Sequence, residues 1–385
     1  MGRPGIDVPR RLGSAYGVAE SRHRLRRLAH LEERLATGFA GWIWSTPGFD
    51  DKIRLAVLAY ESSLAADALH ARSAELAPST AERPWKLELA DLDELANSVE
   101  NEAALGARLS GAAALLARLR GAYAEHLAAT DDLTDGPTSR VLRALALPTD
   151  DRIALCGVAG RLPVAPDTSP PARFLPEAPA RDGRFDVATW DDYRVHEMGA
   201  TPGEVVRHLL YTNAYGEIEA VEVLGRALAD ARELPWPMRR DLFRQLWDEA
   251  RHAEMSWRRM DDLGGPPEPL PQAPPVILGI MAEIADPIER LLVLQRVIEG
   301  RVVERHRLRV STVARDLGDP VTARIYEYIV ADERQHVGNS EWIPKIVGDD
   351  AARIDRLARL QAECEAKLEE ILARRIDQTA GMAPR

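Results

Sequence analysis

The chain has 385 residues, 45% of them hydrophobic, which is enough for two helical units or for one bundle with a large extension. A formal net charge of −11 opposes a general nucleic-acid footprint, and Cys156 and Cys364 lack the CxxC spacing of a thiolate site, so neither a disulfide framework nor a zinc ribbon is expected. No apolar run reaches the length of a membrane span and Met1–Arg11 has no apolar centre, which predicts a soluble, cytoplasmic protein with no membrane partner.

Alanine, leucine, glutamate and arginine dominate and alternating β-branched runs are scarce, so the expected fold class is all-α. Amphipathic segments at Ser21–Leu35, Lys52–Leu76, Leu87–Leu105 and Ala112–Ala129 define an N-terminal helical domain, residues 1–160. Prolines crowd Gly160–Gly183, and residues 161–190 read as a linker to a second domain, 191–385. Thr201-Pro-Gly-Glu204 supplies an N-cap, a proline at the first helical position and a capping-box glutamate, opening a helix to about Arg232. A second helix runs from about Met238 to Leu263 and stops at Gly264-Gly265. After a proline-rich stretch, Asp286-Pro-Ile-Glu289 opens a third helix that Gly318 ends, and Asp319-Pro320 opens a fourth, expected to reach Trp342 and stop at Pro344. An amphipathic helix from about Asp350 to Arg375 closes the chain. Two hairpins joined by a connection of about twenty residues, long enough to cross a bundle, make the ferritin-like four-helix topology.

Two segments carry the chemistry: Asp248-Glu-Ala-Arg-His252 in the second helix and Asp332-Glu-Arg-Gln-His336 in the fourth. Residues three apart share a helix face, so Glu249 with His252 and Glu333 with His336 can each face one metal of a carboxylate-bridged pair. A single Glu-x-x-His is weak, as Glu20-Ser-Arg-His23 shows; the duplicated, Asp-preceded form midway along long helices is the signal. The architecture asks for one further glutamate from each of the first and third helices. With the first turn centred near Leu234, Glu219 is the residue level with Glu249, ahead of Glu217 and Glu222. In the third helix the same arithmetic across the Gly318-Asp319 turn favours Glu304 over Glu299, unless a bulge shifts the register by a turn. Asp248 and Asp332 are candidate acceptors for the ligand imidazole N–H groups. Tyr215, Trp247, Trp257 and Trp342 read as packing residues, and His208 and His306 as satisfied or surface histidines.

Arg296-Val-Ile-Glu-Gly-Arg301, Asp332-Glu-x-x-His-Val337, Gly338-Asn-x-x-Trp342, Glu217-Ile-Glu-Ala-Val-Glu222 and Glu249-Ala-Arg-His252 together resemble an uncharacterised family of bacterial ferritin-like proteins, distantly similar to a tRNA-modifying di-iron hydroxylase. The resemblance covers roughly residues 190 to 350 and implies Glu299 as the third-helix ligand. The wider pattern is also similar to multicomponent monooxygenases, ribonucleotide reductase small subunits and arylamine N-oxygenases. Those last enzymes carry an extra histidine where this chain has Ile329, which argues against N-oxygenation here.

The expected metal set is therefore Glu219, Glu249, His252, Glu299, Glu333 and His336, holding two Fe ions or an Mn/Fe pair. The expected function is an O2-activating oxygenase or oxidase acting on a small organic substrate, supplied by an unidentified electron donor, with no nucleic-acid partner and with a homodimer allowed. The competing expectations are a tRNA-modifying hydroxylase and a non-catalytic iron-binding or scaffold protein. Finally, Asp132-Leu-Thr-Asp-Gly-Pro-Thr-Ser-Arg140 echoes Asp316-Leu-Gly-Asp-Pro-Val-Thr-Ala-Arg324. The echo suggests a degenerate internal repeat in which Thr149 and Arg152 occupy the positions of Glu333 and His336.

Overall fold

A computed structural model describes residues 14–76, 95–97, 104–157, 178–185, 201–267, 275–281, 283–303 and 311–380. Among these residues every regular element is helical, in agreement with the all-α expectation. Two compact units emerge: Met1–Gly38 with Glu61–Phe174, and Phe39–Tyr60 with Leu175–Arg385.

The first unit is built from α1 (Val18–Ser45) up to Gly38, α2 (Phe49–Glu75) from Glu61, α3 (Leu105–Ala128) and α4 (Gly136–Leu155). The segment expected to be helical at Leu87–Leu105 falls mostly outside the described residues. Asp135 caps α4 by accepting from the Thr138 N–H at 3.3 Å. Leu25, Leu31, Leu69, Leu116 and Leu119 are fully buried in the core of this unit. His126 of α3 is buried beside it, 3.1 Å from Ser21 Oγ and edge-on to Tyr16. Burial first, and then the Arg24 charge, lower its pKa from 6.5 to about 4, against the pull of Asp135. The unfolded chain protonates this histidine near pH 6.5 while the folded chain does not, so its contribution to stability is complete above pH 6.5 and is lost as pH falls toward 4. Up to about 3 kcal/mol is at stake. Hydrogen exchange of α3 amides, corrected for intrinsic rates, is expected to speed up between pH 7 and 4.5 more in the wild type than in His126→Gln, which cannot charge; equal acceleration in both would disprove it.

The second unit contains the four helices of the second predicted domain. They are α5 (Pro202–Asp230), α6 (Trp236–Asp262), α8 (Pro287–Leu292) continuing into a π-helical stretch (Val293–Val303), and α9 (Pro320–Asn339). A short α7 (Ile277–Met281) lies on the long connection between α6 and α8. The expected start signals are all realised: Thr201 and Glu204 form a reciprocal capping box, and Asp286 and Asp319 accept from the first free N–H groups of α8 and α9. Gly264 and Gly265 adopt positive φ where α6 ends, and Gly318 does so after the helical residues 311–316. One stop differs from expectation. α9 ends at Asn339, and Pro344 sits inside a separate helix, α10 (Trp342–Val347), at its third position, where no intrahelical N–H donor is required. The last helix, α11 (Ala351–Ala380), is longer than predicted.

The domain boundary also moves. Phe39–Tyr60 belongs to the second unit, and so does the described part of the predicted linker, 178–185. Local chemistry explains both. Ala180 and Asp182 donate their N–H groups to the Trp44 and Pro47 carbonyls at 2.9 and 3.0 Å, and Asp182 accepts from the Phe49 N–H at 3.1 Å. Gly225 of α5 lets the backbone of α1 come close: a Cβ there would stand 2.5 Å from the Ala40 carbonyl oxygen. Among the described residues no helix is long and apolar enough to cross a membrane.

Candidate metal centre

Four helices of the second unit converge on a buried cluster of carboxylates and imidazoles. Glu217, Glu249, His252 and Glu333 form one set and Glu249, Glu299, Glu333 and His336 a second; in each set the candidate ligand atoms lie within 4.8 Å of one another. Glu249 and Glu333 belong to both. All six residues are at most 3% exposed. Oxygen and nitrogen donors around one divalent ion span about 4 Å, so each set can hold a metal ion with small adjustments of side chains.

The imidazoles are oriented for that purpose. His252 Nδ1 faces Glu249 Oε2 at 3.2 Å and Glu333 Oε1 at 3.4 Å; His336 Nδ1 faces Glu333 Oε2 at 2.7 Å and Glu249 Oε1 at 3.1 Å. The outer nitrogens are held by aspartates, as expected, but crosswise. His252 Nε2 lies 3.2 Å from Asp332 Oδ2 of α9, and His336 Nε2 lies 3.4 Å from Asp248 Oδ2 of α6. A proton kept on Nε2 leaves the Nδ1 lone pair for the centre of the cluster. Arg251 ties the two aspartates together, donating to Asp248 at 2.7 Å and Asp332 at 2.6 Å, and Arg244 adds a bond to Asp248 at 2.8 Å. Both guanidinium groups lie over the Trp247 ring, which stacks on Tyr60.

Charge crowding shifts the pKa values of the cluster. Burial would lower His336, but Glu249 and the bond to Asp248 outweigh it and raise the imidazole to about 10. His252 is raised against its burial by Asp332 and Glu249, and Glu249 in turn is held well below the carboxylate range, against its own burial, by His336 and His252. Without metal, the imidazoles supply the positive charge that the carboxylates require.

Glu219, the expected first-helix ligand, is in neither set. The break between α5 and α6 centres on Glu233, one residue earlier than assumed, and this shifts the residue level with Glu249 from Glu219 to Glu217. At about 100° per residue the two glutamates also point to nearly opposite sides of α5. Glu219 instead accepts from the Val276, Ile277 and Leu278 N–H groups at 3.1 to 3.4 Å, and burial lifts it to about 7 against the opposing Arg181 charge. Glu222 is the centre of a buried ion cluster, 2.5 Å from both Lys52 Nζ and an Arg181 nitrogen. Of the third-helix alternatives Glu299 reaches the centre, and it does so from the π-helical stretch that changes the register; Glu304 and His306 lie outside the described residues.

Gln245 carries no motif and was not anticipated. One turn before Glu249, its amide donates to Glu249 and Glu299 at 3.3 Å each, while its carbonyl accepts from Gln295 at 2.5 Å and Asn339 at 3.1 Å. It therefore fixes two of the four carboxylates; the i−4 spacing from a ligand glutamate is the sequence signal that could have found it. Asp248→Asn and Asp332→Asn are each expected to weaken metal binding about 10- to 100-fold with the helical fold intact, since the imidazole loses its anionic partner. Competition titration against a chelator measures this; unchanged affinity in both would dismiss the aspartates as surface charges.

The second unit is thus an all-α module with buried Glu/His clusters able to hold metal ions. The chain belongs to the family described as "Protein of unknown function (DUF455)", whose model matches residues 149–383, more than half its length. No curated protein and no solved structure matches it.

Proposed function

We propose that Glu217, Glu249, His252, Glu299, Glu333 and His336 bind two iron ions within a ferritin-like bundle, and that the protein is an O2-dependent oxygenase or oxidase of a small organic substrate. One observation carries the reading: two ligand sets share two carboxylates, Glu249 and Glu333, which is the pattern of a bridged pair. The order of hairpin, long connection and hairpin supports the bundle topology. Four hard carboxylates and one imidazole per ion suit iron, or an Mn/Fe pair, better than softer metals. When bound, such a pair supplies the electrons that reduce O2.

The side chains of this chain do the rest. Glu249 and Glu333 set the spacing of the two positions, and Glu217 and Glu299 close opposite ends. Asp332 and Asp248 hold the Nε2 protons of His252 and His336, so both rings present Nδ1 inward. Gln245 keeps Glu249 and Glu299 from rotating, and burial of all six side chains keeps bulk water from the carboxylates.

Anaerobic loading with ferrous ion tests the proposal. About two ions per chain are expected to bind, and rapid mixing with O2 should give a transient absorbance that Glu249→Ala lacks. Wild-type protein that takes up no more ferrous or manganous ion than a Glu249→Ala, Glu333→Ala double variant would overturn it.

A further inference from the structure

The first unit repeats the helix register of the second-unit site with different chemistry at its centre. In the second unit Arg259 of α6 donates its Nε to Thr322 Oγ1 at 3.2 Å and an outer nitrogen to the α9 cap, Asp319, at 3.0 Å. In the first unit Arg72 of α2 donates its Nε to Thr138 Oγ1 at 2.9 Å and an outer nitrogen to the α4 cap, Asp135, at 2.7 Å. Taking these two clamps as equivalent sets the register of the helices. Ten residues before Arg259 stands Glu249, and ten before Arg72 stands Ser62. Glu333 and His336 follow Asp319 by the same steps at which Thr149 and Arg152 follow Asp135. Mirrored through the break between α1 and α2, Ser62 is level with Glu32, as Glu249 is with Glu217.

These equivalent residues meet. The Arg152 guanidinium donates to Glu32 Oε2 at 2.6 Å and Oε1 at 3.0 Å, to Ser62 Oγ at 3.1 Å and to Thr149 Oγ1 at 2.9 Å. Tyr123 adds a hydrogen bond to Glu32. All of these side chains are at most 2% exposed. We infer that the centre of the first unit is a cation site of the same ancestry as the metal centre, in which the guanidinium of Arg152 has taken the place of the metal. Its common ancestry with a metal site rests on the function proposed above; its nature as a buried cation site does not. The charge balance agrees: where four carboxylates face two metal positions, one carboxylate, Glu32, remains here to face one fixed positive charge, and the positions of Glu249 and Glu333 have become the hydroxyls of Ser62 and Thr149, which accept two further N–H groups of the guanidinium. The first unit is then a metal-free copy, filled from within, and the chain holds two ions where an intact repeat would hold four.

Chemical rescue is the test. Arg152→Ala should speed the exchange of α4 amides at least about 100-fold, because Glu32 is left buried without its cation. Guanidinium chloride at about 10 mM, far below denaturing concentrations, should restore much of the protection by refilling the hole, whereas NaCl or urea at the same concentration should not. Equal protection in Arg152→Ala and wild type, or equal effects of guanidinium and NaCl, would overturn the inference. If Arg152→Ala does not fold, Arg152→Lys decides: an ammonium cannot bond Glu32 twice while reaching Ser62 and Thr149, so α4 must lose protection, and unchanged protection would refute the assignment. A separate arm counts ferrous ion in a Glu249→Ala, Glu333→Ala double variant. Two ions remaining there against about four in the wild type would place metal in the first unit and sink this inference alone; no ion bound by the wild type would sink the second-unit reading while leaving the rescue result standing.

Discussion

Glu249→Ala and Glu333→Ala should each empty both metal positions, whereas Glu217→Ala and Glu299→Ala should each remove about one ion per chain. The asymmetry follows from membership: Glu249 and Glu333 belong to both ligand sets, Glu217 stands only with His252 and Glu299 only with His336. Losing a carboxylate also relieves like-charge crowding in the metal-free protein, so these variants are expected to keep their helical circular dichroism. Metal analysis after anaerobic ferrous loading and gel filtration measures the effect. Glu219→Ala is the control, with full metal content expected because its carboxylate is spent on the N–H groups of α7 and the residue before it. Retention of two ions in Glu249→Ala would show that the shared carboxylates do not bridge.

Glu222→Ala is expected to be the most destabilising single substitution in the second unit, at about 3–5 kcal/mol. Glu222 is fully buried and accepts from Lys52 through one oxygen and from Arg181 through both. Burial already lowers the Lys52 pKa, and Glu222 is the counter-charge that resists it. Its removal strands two cations in the core. Lys52→Met should cost much less, since Arg181 still satisfies Glu222 and a methionine chain fills the lysine's volume. Urea denaturation followed by tryptophan fluorescence, with all its described tryptophans in the second unit, gives both values. Similar costs for the two variants would mean that volume, not charge, holds this cluster.

The sequence made the second unit legible where one residue does one job. Thr201, Asp286 and Asp319 announce helix starts because a cap acts within three residues of itself, and the repeated Asp-Glu-x-x-His shows because its ligands share a helix face. What was hidden depends on distances between elements. A one-residue error in a turn centre exchanged Glu217 for Glu219, and the π-helical turn that brings Glu299 inward has no composition of its own. Lys52 meets Glu222 across a separation of 170 residues, and Arg181 reaches it from a stretch that reads as linker. Nothing local in a lysine or an arginine foretells such a meeting. The crossed aspartates were foreseen as acceptors but not as exchanged between helices, since which helix supplies the partner is a matter of packing.

That exchange would join the fates of the two ions proposed for the site. A metal bound beside His252 would order a ring whose Nε2 faces Asp332 of α9 and, through Arg251, would fix Asp248 and the ring of His336. If the first ion prepares the seat of the second in this way, uptake should follow a sigmoidal isotherm rather than two independent steps.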